Sequence, residues 1–330
     1  MTTPEFTDLP DLAGERFGSA VIAANDEFFA PKDALIKASA PEWREGVYTE
    51  RGKWMDGWET RRRRTPGFDW AIIRLGLPGI VRGVVIDTSF FTGNYPPRAS
   101  LEACNIFGTP TAELLMSEQT PWRPLLATVD LAGNTKNMFA VVDDDARVTH
   151  LRLNIFPDGG VARLRVHGEV VPEERVFAAG REVDLAAMVN GGFVIECSDM
   201  HYGHRQNLIL PGHSTHMGDG WETKRRRGPG HDWSIIRLAR RGTVDRVELD
   251  TDHFKGNAPG SCMLEACNSD GPFDADCAPW SPLVPESPLQ PHTRQAFDIA
   301  TPVEATHVRL NIYPDGGVAR LRLLGRASAP

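Results

Sequence analysis

The sequence predicts an all-β protein built as two tandem jelly-roll β-sandwich domains, and two observations carry that prediction. Short segments rich in branched residues alternate apolar and polar side chains between Gly, Pro, Asn and Asp. Nearly the whole chain is also written twice. MDGWETRRRR (55–64) recurs as GDGWETKRRR (218–227), and FDWAIIRL (68–75) recurs as HDWSIIRL (231–238), both 163 residues further on. The offset holds through LEAC (101–104) and falls to 157 for THLRLNIFPDGGVARLRV (149–166) against THVRLNIYPDGGVARLRL (306–323). A period this long marks a duplicated domain rather than a solenoid unit. The halves are 1–170 and 171–330, joined through the Pro- and charge-bearing stretch 170–184.

In chain order, ANDEFFAPKDALI (24–36) is the best helical candidate, interrupted by Pro31, and its counterpart CSDMHYGHRQNLI lies 173 residues on. WAIIRL, IVRGVVID, THLRLNI and VARLRVH read as strands, and PDGG before the last is a turn. In VARLRVH, Leu164 and Val166 point to one face while Arg163, Arg165 and His167 point to the other, the pattern of a sheet with one buried face.

Composition narrows the class. The chain has 330 residues, 41% hydrophobic and 24% charged, with 31 Gly and 25 Pro, which fits a folded, turn-rich protein rather than a disordered one. Its apolar runs are far shorter than the roughly 20 residues a spanning helix needs, so no membrane partner is expected. Glu5, Asp8 and Asp11 stand where a signal peptide carries a basic patch and an apolar core. Cys104, Cys197, Cys262, Cys267 and Cys277 are an odd set without a disulfide framework, so the expectation is a cytoplasmic protein with free thiols. A net charge of -8 argues against nucleic acid as a partner. P-loop, GxGxxG, GxSxG and HExxH patterns are absent, which demotes nucleotide-dependent and serine-hydrolase chemistry.

The densest chemistry is the repeated DGWETRRRR…DW segment. It sets Asp56, Glu59 and Asp69 around Arg61 to Arg64, and Asp219, Glu222 and Asp232 around Lys224 to Arg227. Arginine forks grip a carboxylate bidentately, and a neighbouring carboxyl can move protons if burial raises its pKa. The same residues also suit a salt-bridge network that holds loops, and the residues alone leave both readings open. Six of ten histidines (His201, His204, His213, His216, His231, His253) crowd into the second half, where the first has Phe68 and Phe90 opposite His231 and His253. The two His-x-x-His spacings leave a divalent metal open, although neither sits in a known metal-helix pattern.

On NDEFFAPKDALI, GKWMDGWETRRRRTPGFDW, DTSFFTGNYPPRASLEA, MGDGWETKRRRGPGHDW and NIYPDGGVARLRL, the chain resembles the allantoicase family over nearly its whole length. The resemblance implies two jelly-roll domains of galactose-binding-like fold and a homo-oligomer, hexamers being known in the family. It also implies hydrolysis of allantoate to ureidoglycolate and urea in purine breakdown, with no cofactor certain. For that substrate the acid–base candidates are Asp219, Glu222 and Asp232, with Asp56 and Glu59 in the first copy. The second copy is preferred because His253 is placed to activate water. Arg225, Arg226 and Arg227, or Arg61, Arg62 and Arg63, clamp the substrate carboxylate, with Trp221 and Asn257 as further contacts. Each copy having its own site, one site shared by both, and a purely structural identity all stay open. The competing class is a non-catalytic small-ligand or sugar-binding β-sandwich.

Overall fold

The computed structural model describes residues 5–271 and 273–329. Two compact units divide it, Met1–Val171 and Pro172–Pro330. Among the described residues the only α-helix is the five-residue Ala112–Met116. No described helix is long and apolar enough to cross a membrane.

The first unit is organised by one long strand. Its strands are β1 (Ala20–Ala24), β2 (Asp69–Asp87), β3 (Arg98–Cys104), β4 (Arg123–Asp130), β5 (Lys136–Ala140), β6 (Val148–Phe156) and β7 (Arg163–Val170). WAIIRL and IVRGVVID therefore belong to one element of 19 residues. The first part of β2 pairs with β1 and β6, from Asp69 opposite Ile155 to Arg74 opposite His150, and β6 continues through β3 to β4. Its last part pairs instead with β7 and β5, from Gly79 opposite Val170 to Asp87 opposite Arg163 and Lys136. The register breaks between Arg74 and Gly79, where the strand bends from one layer into the other. Gly79 is required there, because a Cβ would lie 2.0 Å from the Glu169 carbonyl oxygen. Leu151, Leu153, Ile155, Leu164 and Val166 fill the space between layers, all fully buried.

The second unit repeats this plan with β8 (Phe193–Cys197), β9 (Asp232–Asp250), β10 (Ser261–Cys267), β11 (Ser281–Pro288), β12 (Arg294–Asp298), β13 (Glu304–Tyr313) and β14 (Arg320–Ala327). The bend again falls within the long strand, between Arg237 and Gly242. The segment expected to be helical folds only as a 3-10 turn, Lys32–Ile36, with Pro31 at its start, since Pro31 cannot donate inside a longer helix. All five cysteines are free, and burial pushes the Cys104 thiol up to about 11 and the Cys262 thiol up to about 12.

His150 on β6 and His307 on β13 are buried at equivalent positions, each with Nδ1 2.9 Å from the preceding threonine hydroxyl. Burial first, then the like charge of Arg74 or Arg237, pushes each imidazole from 6.5 down to about 4. The folded form holds both neutral, whereas the unfolded chain protonates them near 6.5, so the unfolded state binds more protons between those values. Stability from this source is complete above pH 6.5 and is lost as pH falls toward 4, on the order of 3 kcal/mol per histidine. Urea unfolding at pH 7, 5 and 4 checks this. The double change His150→Gln and His307→Gln should flatten the dependence in that window, and an unaltered slope would contradict the assignment.

Candidate active site

The ends of the central strands place the site. Asp69 begins β2, Arg98 begins β3 and Phe156 ends β6, side by side on one edge of the sheet. The loops 61–68, 89–97 and 157–160 therefore emerge together. Glycine locks them against one ring. Phe91 is fully buried, and a Cβ at Gly160 would lie 1.9 Å from it, one at Gly57 2.8 Å. Gly159 adopts φ 142°, and a Cβ there would also lie 2.6 Å from the Pro96 backbone nitrogen, so it is required both conformationally and sterically. The second unit repeats this with Phe254 against Gly317 and Gly220.

Trp58–Glu59 forms a two-residue ladder with Gly160–Val161, so successive side chains point to opposite sides. Trp58 turns inward, fully buried, its Nε1–H donating to the Asp26 carbonyl at 2.8 Å. Glu59 turns outward, half-buried, into a cleft of about 520 Å³ lined by Phe29, Arg62, Arg63, Asn94, Tyr95 and Asp158 among others. Asn94 Nδ2–H donates to Glu59 Oε1 at 2.6 Å, and no described residue bonds Oε2. Burial pushes the Glu59 carboxyl above the usual range, with the Asn94 hydrogen bond opposing it.

The arginine run divides its labour. Arg61 is exposed and pairs with Asp26 at 2.6 Å. Arg63 pairs with buried Asp69 at 2.7 Å, and its backbone N–H donates to Asp158 Oδ2 at 2.8 Å. Arg62 lines the cleft and has no ion pair among the described residues. A second hollow of about 360 Å³ adjoins it and shares Arg62 and Arg63.

The second copy repeats these hydrogen bonds and ion pairs. Asn257 Nδ2–H donates to Glu222 Oε1 at 2.5 Å, Arg226 pairs with Asp232, and the Arg226 backbone N–H donates to Asp315 Oδ2 at 2.8 Å. Arg225 and Arg227 are exposed, without ion pairs among the described residues, and border a hollow of about 300 Å³ with Asp199 and Asp232, the counterpart of the smaller hollow of the first copy.

Several sequence-derived candidates lie elsewhere. Asp56 is buried against Arg163, Nη2 to Oδ2 2.6 Å, and also accepts from Lys37 Nζ at 3.0 Å. Burial alone would push its carboxyl up, but those partners outweigh it and hold it low. Asp219 pairs with buried Arg320 at 2.9 Å in the same way. Asp232, like Asp69, is buried in an ion pair with its arginine. Trp221 is fully buried, with Nε1–H donating to the Asp199 carbonyl at 2.8 Å, and cannot touch a ligand. His253 has φ 69° in a turn, its Nε2 3.0 Å from the Ser214 carbonyl oxygen, with Asp252 and His292 alongside. The sequence marks Asn94 only through its identity with Asn257 in the repeat. Among the described residues no three His, Cys, Asp or Glu side chains gather as a metal site.

A family model described as the allantoicase repeat matches residues 10–171 and 183–328. This chain belongs to the allantoicase family. It is 48% identical to a probable allantoicase of Pseudomonas paraeruginosa, with 97% of this chain and 96% of the relative covered. Against a probable allantoicase of Nocardia farcinica it is 50% identical over 97% and 95%. The crystal structure of allantoicase from Saccharomyces cerevisiae superposes with a TM-score of 0.81 at 35% identity, covering 97% of this chain and 96% of that one. Allantoicase membership fits a cleft that pairs a raised carboxyl with an unpaired arginine.

Proposed function

We propose that this allantoicase-family hydrolase cleaves allantoate to ureidoglycolate and urea in the cleft of its first copy, with Glu59 handling the proton and Arg62 holding the substrate carboxylate. The observation that carries this placement is Glu59 itself: half-buried, lining the cleft, held through one oxygen by Asn94 and raised by burial. Arg62 supplies a guanidinium not already spent on an aspartate, which can grip the substrate carboxylate bidentately.

The chemistry balances on one carboxyl. Allantoate carries two ureido groups and a carboxylate on one carbon. Protonated Glu59 gives its proton to one ureido nitrogen as that C–N bond breaks, and the lone pair of the remaining ureido nitrogen assists its departure. Glu59, now a carboxylate, takes a proton from water as the water oxygen bonds to the same carbon. One water is consumed, urea leaves, ureidoglycolate carries the new hydroxyl, and Glu59 ends protonated as it began. The free thiols, exposed Cys277 included, support a reducing, cytoplasmic setting, and the homo-oligomer and the role in purine breakdown implied by the family belong to the same reading.

Urea release from allantoate by the purified protein is the direct test, and none from folded protein would overturn the reading. Arg62→Ala is expected to raise KM about 10- to 100-fold with kcat little changed, the loss of one charge-assisted hydrogen-bonded contact of roughly 1.5–3 kcal/mol. A fall in kcat at constant KM would remove Arg62 from substrate binding.

A further inference from the structure

We infer that the second copy holds its own site for a small carboxylate bearing a ureido group, so that one chain binds two such ligands. This rests on the proposed reading of the first cleft and extends it.

Beside the buried residues that the two copies share, the repeat also keeps residues that a ligand would use. Glu222 is half-buried with one oxygen bonded by Asn257, as Glu59 is by Asn94. Thr223 and Gly316 clasp the loop, the Gly316 N–H donating to Thr223 Oγ1 at 3.1 Å, matching Thr60 and Gly159. Arg225 stands in the place of Arg62, again without an ion pair among the described residues. A half-buried carboxylate costs desolvation, and an exposed, unpaired arginine adds little to stability. The sandwich itself does not require them: after WSIIRL the long strand β9 reads ARRGTVDRVELD where β2 reads GLPGIVRGVVID. The second part of the long strand has drifted, while GWETxRRR and PDGGVARLR, which also carry the buried Trp221 and Arg320, have not.

The walls differ in a way that ranks the two sites. The Phe29 N–H donates to the Glu59 carbonyl at 3.2 Å, and the Tyr202 N–H donates to the Glu222 carbonyl at 3.1 Å, which makes these two residues equivalent. At the 163-residue offset Ala258 replaces Tyr95 and Gly260 replaces Pro97, so the second site loses an aromatic wall. Less ring surface means less apolar area removed from water around the ligand, hence weaker binding.

Calorimetric titration of the full chain with ureidoacetate tests this, since that probe carries a carboxylate and one ureido group but no second ureido group to expel. Two sites per chain are expected, the weaker lost in Arg225→Ala and the tighter lost in Arg62→Ala. Ala258→Tyr should tighten the weaker site several-fold. A single site that Arg62→Ala removes would overturn the second site and leave the first-cleft reading intact. A single site that Arg225→Ala removes would overturn both. Both arginines are exposed, so a far-ultraviolet spectrum and melting curve matching wild type should accompany each variant.

Discussion

Glu59→Gln is expected to lower kcat for urea release by roughly 10²- to 10⁴-fold, the range lost when a positioned proton-transfer group is removed. Gln can still accept the Asn94 hydrogen bond at the position of Oε1 and fills the same volume, so folding and substrate binding should survive. What it cannot do is give up and recover a proton. The pH profile adds a second readout. The acid form starts the cycle, so turnover should decline as pH rises through the Glu59 pKa, which burial has moved upward. The Asn94 hydrogen bond opposes that rise, so Asn94→Ala should move the alkaline limb to higher pH. Glu222→Gln, which alters the second copy instead, should leave most urea release in place. The reverse ranking of the two variants would transfer the chemistry to the second copy, where the histidine-rich sequence first pointed.

That difference shows what the sequence could and could not reveal. The repeat, the sandwich and most strands were legible because branched residues alternating between turn formers have one physical solution. The arginine–carboxylate cluster was legible as a place but not as a set of roles. Asp56 and Glu59 are three residues apart and chemically alike, yet Asp56 meets an arginine 107 residues away while Glu59 meets Asn94. Which distant arginine folds back onto which carboxylate depends on the bend in β2 and on the start of β7, neither of which a local window contains. The same blindness affects Trp221, expected as a further substrate contact, although alternation along Trp221–Glu222 sends it into the core. His253 was singled out because it replaces Phe90, but both residues share φ 69°, so the position is a turn constraint in either copy.

The strongest stability effect is expected at Arg163, which alternation along VARLRVH sets on the face opposite Leu164 and Val166. Arg163 is 1% exposed. Its guanidinium donates to Asp56 Oδ2 at 2.6 Å, to the carbonyls of Asp56 and Ser39 at 3.0 Å, and to that of Ala162 at 2.7 Å. It therefore ties the loop carrying Glu59 and the segment at 39–40 to the first residue of β7. Asp56→Ala leaves this guanidinium buried without its counter-charge, and breaking such a pair costs about 3–5 kcal/mol. Urea unfolding at pH 7 should show the loss, and Asp219→Ala should show one of similar size because Arg320 is held in the same way. If Asp56 were instead an acid–base residue, the substitution would leave stability nearly intact and abolish turnover. The structural role predicts the opposite split: at low temperature, where the variant stays folded, kcat should remain within a few-fold of wild type. A carboxylate already committed to Arg163 and Lys37, and held in its charged form by them, has no proton to give at neutral pH.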